Sequence, residues 1–180
     1  EAADRGKGFF PSDIKQTDGL YTNVPNLALA TFSADCAPIL FLDPVKKVIA
    51  AIHSGWRGTA ARIAQKLIAA LNKEFKSNPA DILAGIGPSI GPCCFEVDSP
   101  VAEQFSDWRE FIIEGKAQNK EKFNVDLWRI NESMLIEAGL KPENIDCAPL
   151  CTCCNSDLYF SHRRDKDARG SMASIISLGV

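Results

Sequence analysis

Apolar residues recur along this chain in two rhythms. Short continuous runs occupy residues 27–32, 39–42, 48–52 and 82–86, each bounded by turn-forming residues, and each predicts a buried strand. Asp43-Pro44 turns the second run into the third. The other rhythm has a period near four. Ile63, Leu67, Leu71 and Phe75 predict one helix from Thr59 to Phe75. Leu127, Ile130, Met134 and Ala138 predict a second over 126–138, stopped by Gly139. A short helix is expected over 101–105 and a closing strand over 172–178, while 17–23 reads as turn chemistry. Helices and strands mix without strict alternation. The expected class is therefore α+β, a mixed α/β arrangement in one domain over 1–180, rather than a doubly wound nucleotide fold. No G-x-G-x-x-G or Walker sequence contradicts this.

Composition narrows the partners. With 20 Lys and Arg against 23 Asp and Glu, the net charge is -3, which gives no electrostatic reason to expect nucleic acid or an anionic membrane. Asp35, Pro38 and Asp43 interrupt the apolar stretches well before membrane-spanning length. Seven cysteines, with vicinal pairs at 93–94 and 153–154, suit free thiols in a reducing compartment, so a cytoplasmic location is expected.

Two turns carry the candidate chemistry. "SADCAP", residues 33–38, puts Cys36 at one strand end, and "HSGWRG", residues 53–58, puts His53 at another. A single hairpin-like excursion separates them, so neighbouring strands can unite thiol and imidazole. The pair suits zinc. Equally it supplies a nucleophilic Cys–His dyad, or else Cys36 is a small buried residue and His53 a hydrogen-bonded core histidine. A catalytic zinc takes three protein ligands, and these turns supply two. His162, Asp35 or a residue upstream of Glu1 would complete the set. The second feature concerns anions. Backbone N–H groups at the Thr59 helix start, close approach at Gly55 and Gly58, and the forked Arg57 cation together predict a phosphate site. The alternative is that Arg57 caps a neighbouring carbonyl.

"FSHRRD", residues 160–165, reads as a strand whose alternation sends one of Arg163 and Arg164 into the site and the other to the surface. Cys151 and Cys154 are spaced C-x-x-C, but no second such pair lies at zinc-finger spacing. With Cys147 and Cys153 they are read as structural or incidental thiols rather than a second metal site. Cys93 and Cys94 follow a Gly-Pro turn that places one of them to reach the pocket.

Together "ADCAPILFLDP", "AAIHSGWRGTAARI", "GIGPSIGPCCFEV" and "FSHRRD" resemble the polyphenol-oxidase, or laccase-domain, family from about Asp18 onward. The resemblance implies the laccase-domain fold, similar to the catalytic domain of a cytotoxic necrotizing factor. It also implies zinc-dependent phosphorolysis of adenosine, inosine, guanosine and methylthioadenosine, with adenosine deaminase activity. In that family a Cys, a His and a His of an upstream Gln-x-His motif hold zinc. The first two correspond to Cys36 and His53, and the third is expected before Glu1, which makes the chain N-terminally incomplete. The resemblance implies catalytic roles for Cys36, His53 and Arg57, and phosphate or substrate contacts from Arg57, Gly58, Thr59 and Arg164. Two departures stand out. His162 replaces a common Tyr, and Arg169-Gly170-Ser171-Met172-Ala173 replaces T-G-R-M-A, displacing the arginine. The expected partners are a purine nucleoside and phosphate, with the oligomeric state left open. Rival readings are a copper-dependent polyphenol oxidase, a Cys–His hydrolase or deamidase, and a silent binding module. Two histidines in the whole chain are too few for several copper ions, although a single copper remains an alternative to zinc.

Overall fold

The computed structural model describes residues 17–114 and 122–179. In chain order the elements begin with β1 (Gly19–Thr22), β2 (Ala28–Ser33), β3 (Ala37–Asp43) and β4 (Val48–Ser54). Next come α1 (Trp56–Ala60), α2 (Ile63–Phe75), β5 (Leu83–Ile86), β6 (Glu96–Asp98) and α3 (Ser99–Ala102). Then follow β7 (Ile112–Glu114), β8 (Lys122–Val125), α4 (Leu127–Glu137), β9 (Ile145–Cys147), α5 (His162–Asp165) and β10 (Met172–Ser177). The main sheet runs β1-β4-β3-β5-β9, antiparallel except for the β5–β9 pair. The strands β2 and β10 form an antiparallel ribbon, and β6-β8-β7 a small third sheet. This is the α+β class that the mixed rhythm predicts.

The continuous apolar run of β4 has a direct cause: it is covered on both faces. On one side Ile39, Phe41 and Ile52 pack with Leu67 and Leu71 of α2 and Leu135. On the other, Ile49 and Ala51 meet Leu29, Leu40 and Ile176, sealing the β2–β10 ribbon against the main sheet. A second core gathers Phe105, Trp108, Val125, Leu127, Ile130 and Met134 beneath the third sheet. Local chemistry sets the junctions. The Asp43 carboxylate accepts from the Val45 and Lys46 backbone amides at 2.9 and 2.8 Å, closing the β3–β4 turn. Asp126 caps α4 by accepting from Arg129 N–H, and Gly139, at φ +98°, ends it as expected.

Three local expectations need correction. Residues 19–22 form strand β1 rather than part of a turn, because they pair in register with Ile49–Ile52 of β4 and long-range pairing outweighs local turn propensity. The helix expected from Thr59 to Phe75 is two helices. It starts earlier, at Trp56, and breaks at Arg62, which adopts φ 59°. The Arg62 guanidinium is held there by Asp107 and Glu137 and stacks over Trp108 at 4.5 Å, so tertiary contacts fix the break. Lastly, 162–165 is the short helix α5, not a strand, capped by the Ser161 hydroxyl accepting from Arg164 N–H.

Candidate functional site

Register alone brings the two turns together. In the β3–β4 ladder Ala37 faces Ser54 and Pro38 faces His53, so the next step places Cys36 opposite Gly55. Gly55 lies two residues beyond His53, on the same face of the strand. Cys36 and His53 are thus diagonal neighbours, with Gly55 leaving the space between them. A Cβ built at Gly55 would sit 3.1 Å from Cys36 Sγ and 3.4 Å from His53 Cε1. His53 Nδ1 lies 3.1 Å from Asp18 Oδ1, while the His53 N–H donates to the Asp18 carbonyl at 2.7 Å. The ring is therefore oriented from behind, with its other nitrogen directed to the thiol side. A hydrogen bond with Cys36 is the main reason His53 rises to about 9; burial opposes it and Asp18 adds to it.

These donors fit a thiophilic metal. A soft sulfur, an imidazole and a carboxylate behind that imidazole match a zinc ligand pair with its orienting partner. Among the described residues, no third His, Cys, Asp or Glu joins Cys36 and His53 closely enough to complete a three-ligand group. The third ligand expected before Glu1 lies outside the described residues. Asp35, one of the alternatives, is committed elsewhere. Its buried carboxylate accepts from Thr152 Oγ1 at 2.6 Å, Ser161 Oγ at 3.1 Å and Arg163 N–H at 2.6 Å. Asp35 itself stands at φ 89° in the turn before Cys36, and its carbonyl accepts from Ile90 N–H. It pins three loops to the strand end that carries Cys36.

Cys36 and His53 open onto a cavity of about 530 Å³. Its lining combines the apolar and aromatic side chains of Phe32, Trp56, Phe95 and Leu127 with Asp98, His162, Arg163, Arg169 and Ser171, and the Arg163 guanidinium lies 5.8 Å from the Phe95 ring centre. That volume and mixture suit a small organic ligand. Arg163 is held beside Phe95 by the Cys94 and Glu96 carbonyls, each 3.0 Å away. The Arg169 backbone N–H donates to the Lys166 carbonyl at 3.4 Å, while its guanidinium makes no hydrogen bond or ion pair among the described residues.

The anticipated phosphate set is scattered. Arg57 stacks on Trp56 at 4.3 Å, beside the cavity rather than in its lining. Because α1 starts at Trp56, the Thr59 N–H is consumed by the Gly55 carbonyl at 2.8 Å, and its hydroxyl bonds Ser54 and Gly55. Gly58 packs its open side against the His53 carbonyl and Ile63. Arg164 points away from the cavity, donating to the carbonyls of Thr152, Cys153 and Tyr159 and pairing with Asp165. A helical α5 replaces the alternation that was to sort the two arginines, and Arg163 is the one that enters. Sequence reasoning assigned no role to Asp18 or Arg169. The Asp18–Gly19 pair looked like a turn, and Arg169 looked displaced from its motif.

The other cysteines also depart from expectation. Cys93, Cys94, Cys151 and Cys154 bring their sulfurs within 4.8 Å of one another, a group that could hold a metal ion. Cys147 and Cys153 stay outside it.

Comparison with known proteins follows the same lines. A family profile described as multi-copper polyphenol oxidoreductase laccase matches residues 2–179. The purine nucleoside phosphorylase YlmD of Bacillus subtilis is 38% identical over 97% of this chain, and that of Geobacillus stearothermophilus 35% over 97%. The chain spans 64% and 65% of those relatives. A crystal structure of the hypothetical protein YfiH from Bacillus licheniformis superposes with a TM-score of 0.93 at 38% identity, covering 99% of this chain and 68% of that one. Cysteine, histidine, register and profile agree: the chain belongs to the multi-copper polyphenol oxidoreductase laccase family.

Proposed function

We propose that this chain supplies the catalytic pocket of a zinc-dependent purine nucleoside phosphorylase that also deaminates adenosine. The carrying observation is the diagonal Cys36–His53 pair across Gly55, opening onto the 530 Å³ cavity lined by aromatic rings and by Arg163 and Arg169. Flat apolar faces at Trp56 and Phe95 suit stacking of a purine, and Arg169 offers a forked cation to phosphate oxygens. Cys36 and His53 would hold the metal, which supplies Lewis acidity and water activation for loss of the purine 6-amino group. Phosphorolysis breaks the bond from C1′ to the base and forms one from C1′ to a phosphate oxygen. Positive charge develops on the sugar and negative charge on the departing base, so fixed charged groups around the cavity matter more than a general-purpose base. Relatives named purine nucleoside phosphorylase support the substrate class. A cytoplasmic location accords with the free thiols, and no helix among the described residues is long and apolar enough to cross a membrane.

The test uses the full-length protein with inosine, adenosine and guanosine in phosphate buffer, following free base by chromatography. Cys36→Ala and His53→Ala abolish product, and Arg169→Ala raises the KM for phosphate. Copper-dependent oxidation of phenols, with neither hypoxanthine nor inosine formed, overturns the proposal. A second reading draws on one geometric fact: Cys36, His53 and Asp18 stand in the order nucleophile, base and orienting carboxylate. Zinc blocks alkylation of Cys36 if the residue is a ligand. Rapid alkylation at the same rate with and without zinc favours a hydrolytic dyad.

A further inference from the structure

We infer that Cys93, Cys94, Cys151 and Cys154 form a second, four-thiolate zinc site that clasps two turns behind the cavity, independent of what the cavity binds. Two turns supply two sulfurs each. Residues 91–94 close with the Cys94 N–H donating to Gly91 O at 3.0 Å, and residues 151–155 with Asn155 N–H donating to Cys151 O at 3.1 Å. The second turn presents C-x-x-C spacing, the usual arrangement in structural zinc sites. Cys154 Sγ stands 3.6 Å from Cys93 Sγ and 3.4 Å from Cys94 Sγ, and no pair in the group exceeds 4.8 Å. A regular tetrahedron with Zn–S of about 2.3 Å has edges of ~3.8 Å, in the middle of that range. Tetrahedral four-sulfur coordination selects zinc among abundant divalent ions.

Two neighbouring groups would offset the negative charge of a four-thiolate complex. The Gly91 N–H donates to Cys151 Sγ at 3.3 Å, a backbone donor aimed at sulfur. Arg163, fixed on the Cys94 carbonyl, brings a positive charge to the same turn. Binding releases four protons and leaves a complex of charge -2, which these groups partly offset.

The clasp has a place in the site. Phe95 follows Cys94 directly and lines the cavity, and Arg163 reaches that wall through the Cys94 and Glu96 carbonyls. The parallel bridge of Ser89 with Cys151 ties the two turns at their other end. Drawing them together holds the aromatic wall in place.

The test starts from the full-length protein carrying Cys36→Ser and His53→Ala, which removes the first site whatever its role. Elemental analysis should find about one zinc per chain retained after desalting, and cobalt replacing it should give the intense sulfur-to-metal absorption of four thiolates. Adding Cys93→Ser and Cys154→Ser should remove that equivalent. In the unmutated protein, the exposed Cys93 and Cys154 should resist alkylation until a chelator is added, a readout that does not depend on a variant folding. Less than a tenth of an equivalent retained, rapid alkylation before chelation, or a Cys94–Cys154 disulfide found by mass spectrometry after purification under reductant would overturn the inference.

Discussion

Replacing Asp35 by Ala removes the acceptor for three donors at once: Thr152 Oγ1, Ser161 Oγ and the Arg163 amide. The site is buried, so water does not fully restore these bonds. Hydrogen bonds to a charged group contribute about 1.5–3 kcal/mol each, and buried donors left without partners cost a similar amount. The three share one acceptor, and removal of a buried charge offsets part of the loss, so the net destabilisation is roughly 4 kcal/mol rather than a simple multiple. For a chain of this length, 1 kcal/mol moves Tm by about 2–4 °C, giving an expected fall of roughly 8–16 °C. Circular-dichroism melts of the two proteins, with urea titrations to confirm the free energy, measure it. Asp35→Gly separates contact from conformation. Glycine relieves the φ of 89° but restores no bond, so it should fall nearly as far as Ala. A fall of less than about 2 °C for Asp35→Ala, or a Gly variant as stable as the parent, would refute the reasoning.

Gly55→Ala should weaken metal binding at Cys36 and His53 at least tenfold with little change in Tm, because its Cβ enters the space between sulfur and ring; isothermal titration with zinc decides. Arg164→Ala strips three carbonyls of their donor and should lower Tm by several degrees while leaving the phosphate KM within twofold, since its guanidinium faces away from the cavity. A large KM change instead would return Arg164 to the binding set. His53 also makes a pH prediction for the metal-free protein. Its folded-state pKa of about 9 lies above the free value of ~6.5, so its stabilisation is complete below the lower value and is lost as pH rises through the upper one. Urea midpoints measured across that window should fall with rising pH in the parent more than in His53→Gln.

Much of the architecture was legible from the chain alone, for a physical reason. β4 is covered on both faces and so is apolar at five consecutive positions, and α4 has one buried stripe with a cap at Asp126 and a stop at Gly139. Such elements write their environment into their own residues. The pairing of Cys36 with His53 was legible for the same reason, since a short hairpin admits few registers.

Other features depend on neighbours remote in the chain. β1 exists because β4 offers it an edge, and the helix breaks at Arg62 because Trp108, Asp107 and Glu137 capture its side chain. The arginine that enters the cavity was settled by α5, which Asp35 helps anchor from 126 residues away in sequence. The four cysteines show the contrast most plainly. The spacing of the cysteines at 147–154 argued against a second metal site, and nothing linked them to Cys93 and Cys94, yet the bridge between Ser89 and Cys151 brings the two turns side by side, with four sulfurs in one cluster. Local periodicity encodes which faces are buried; only folding sets which distant side chains then share a space.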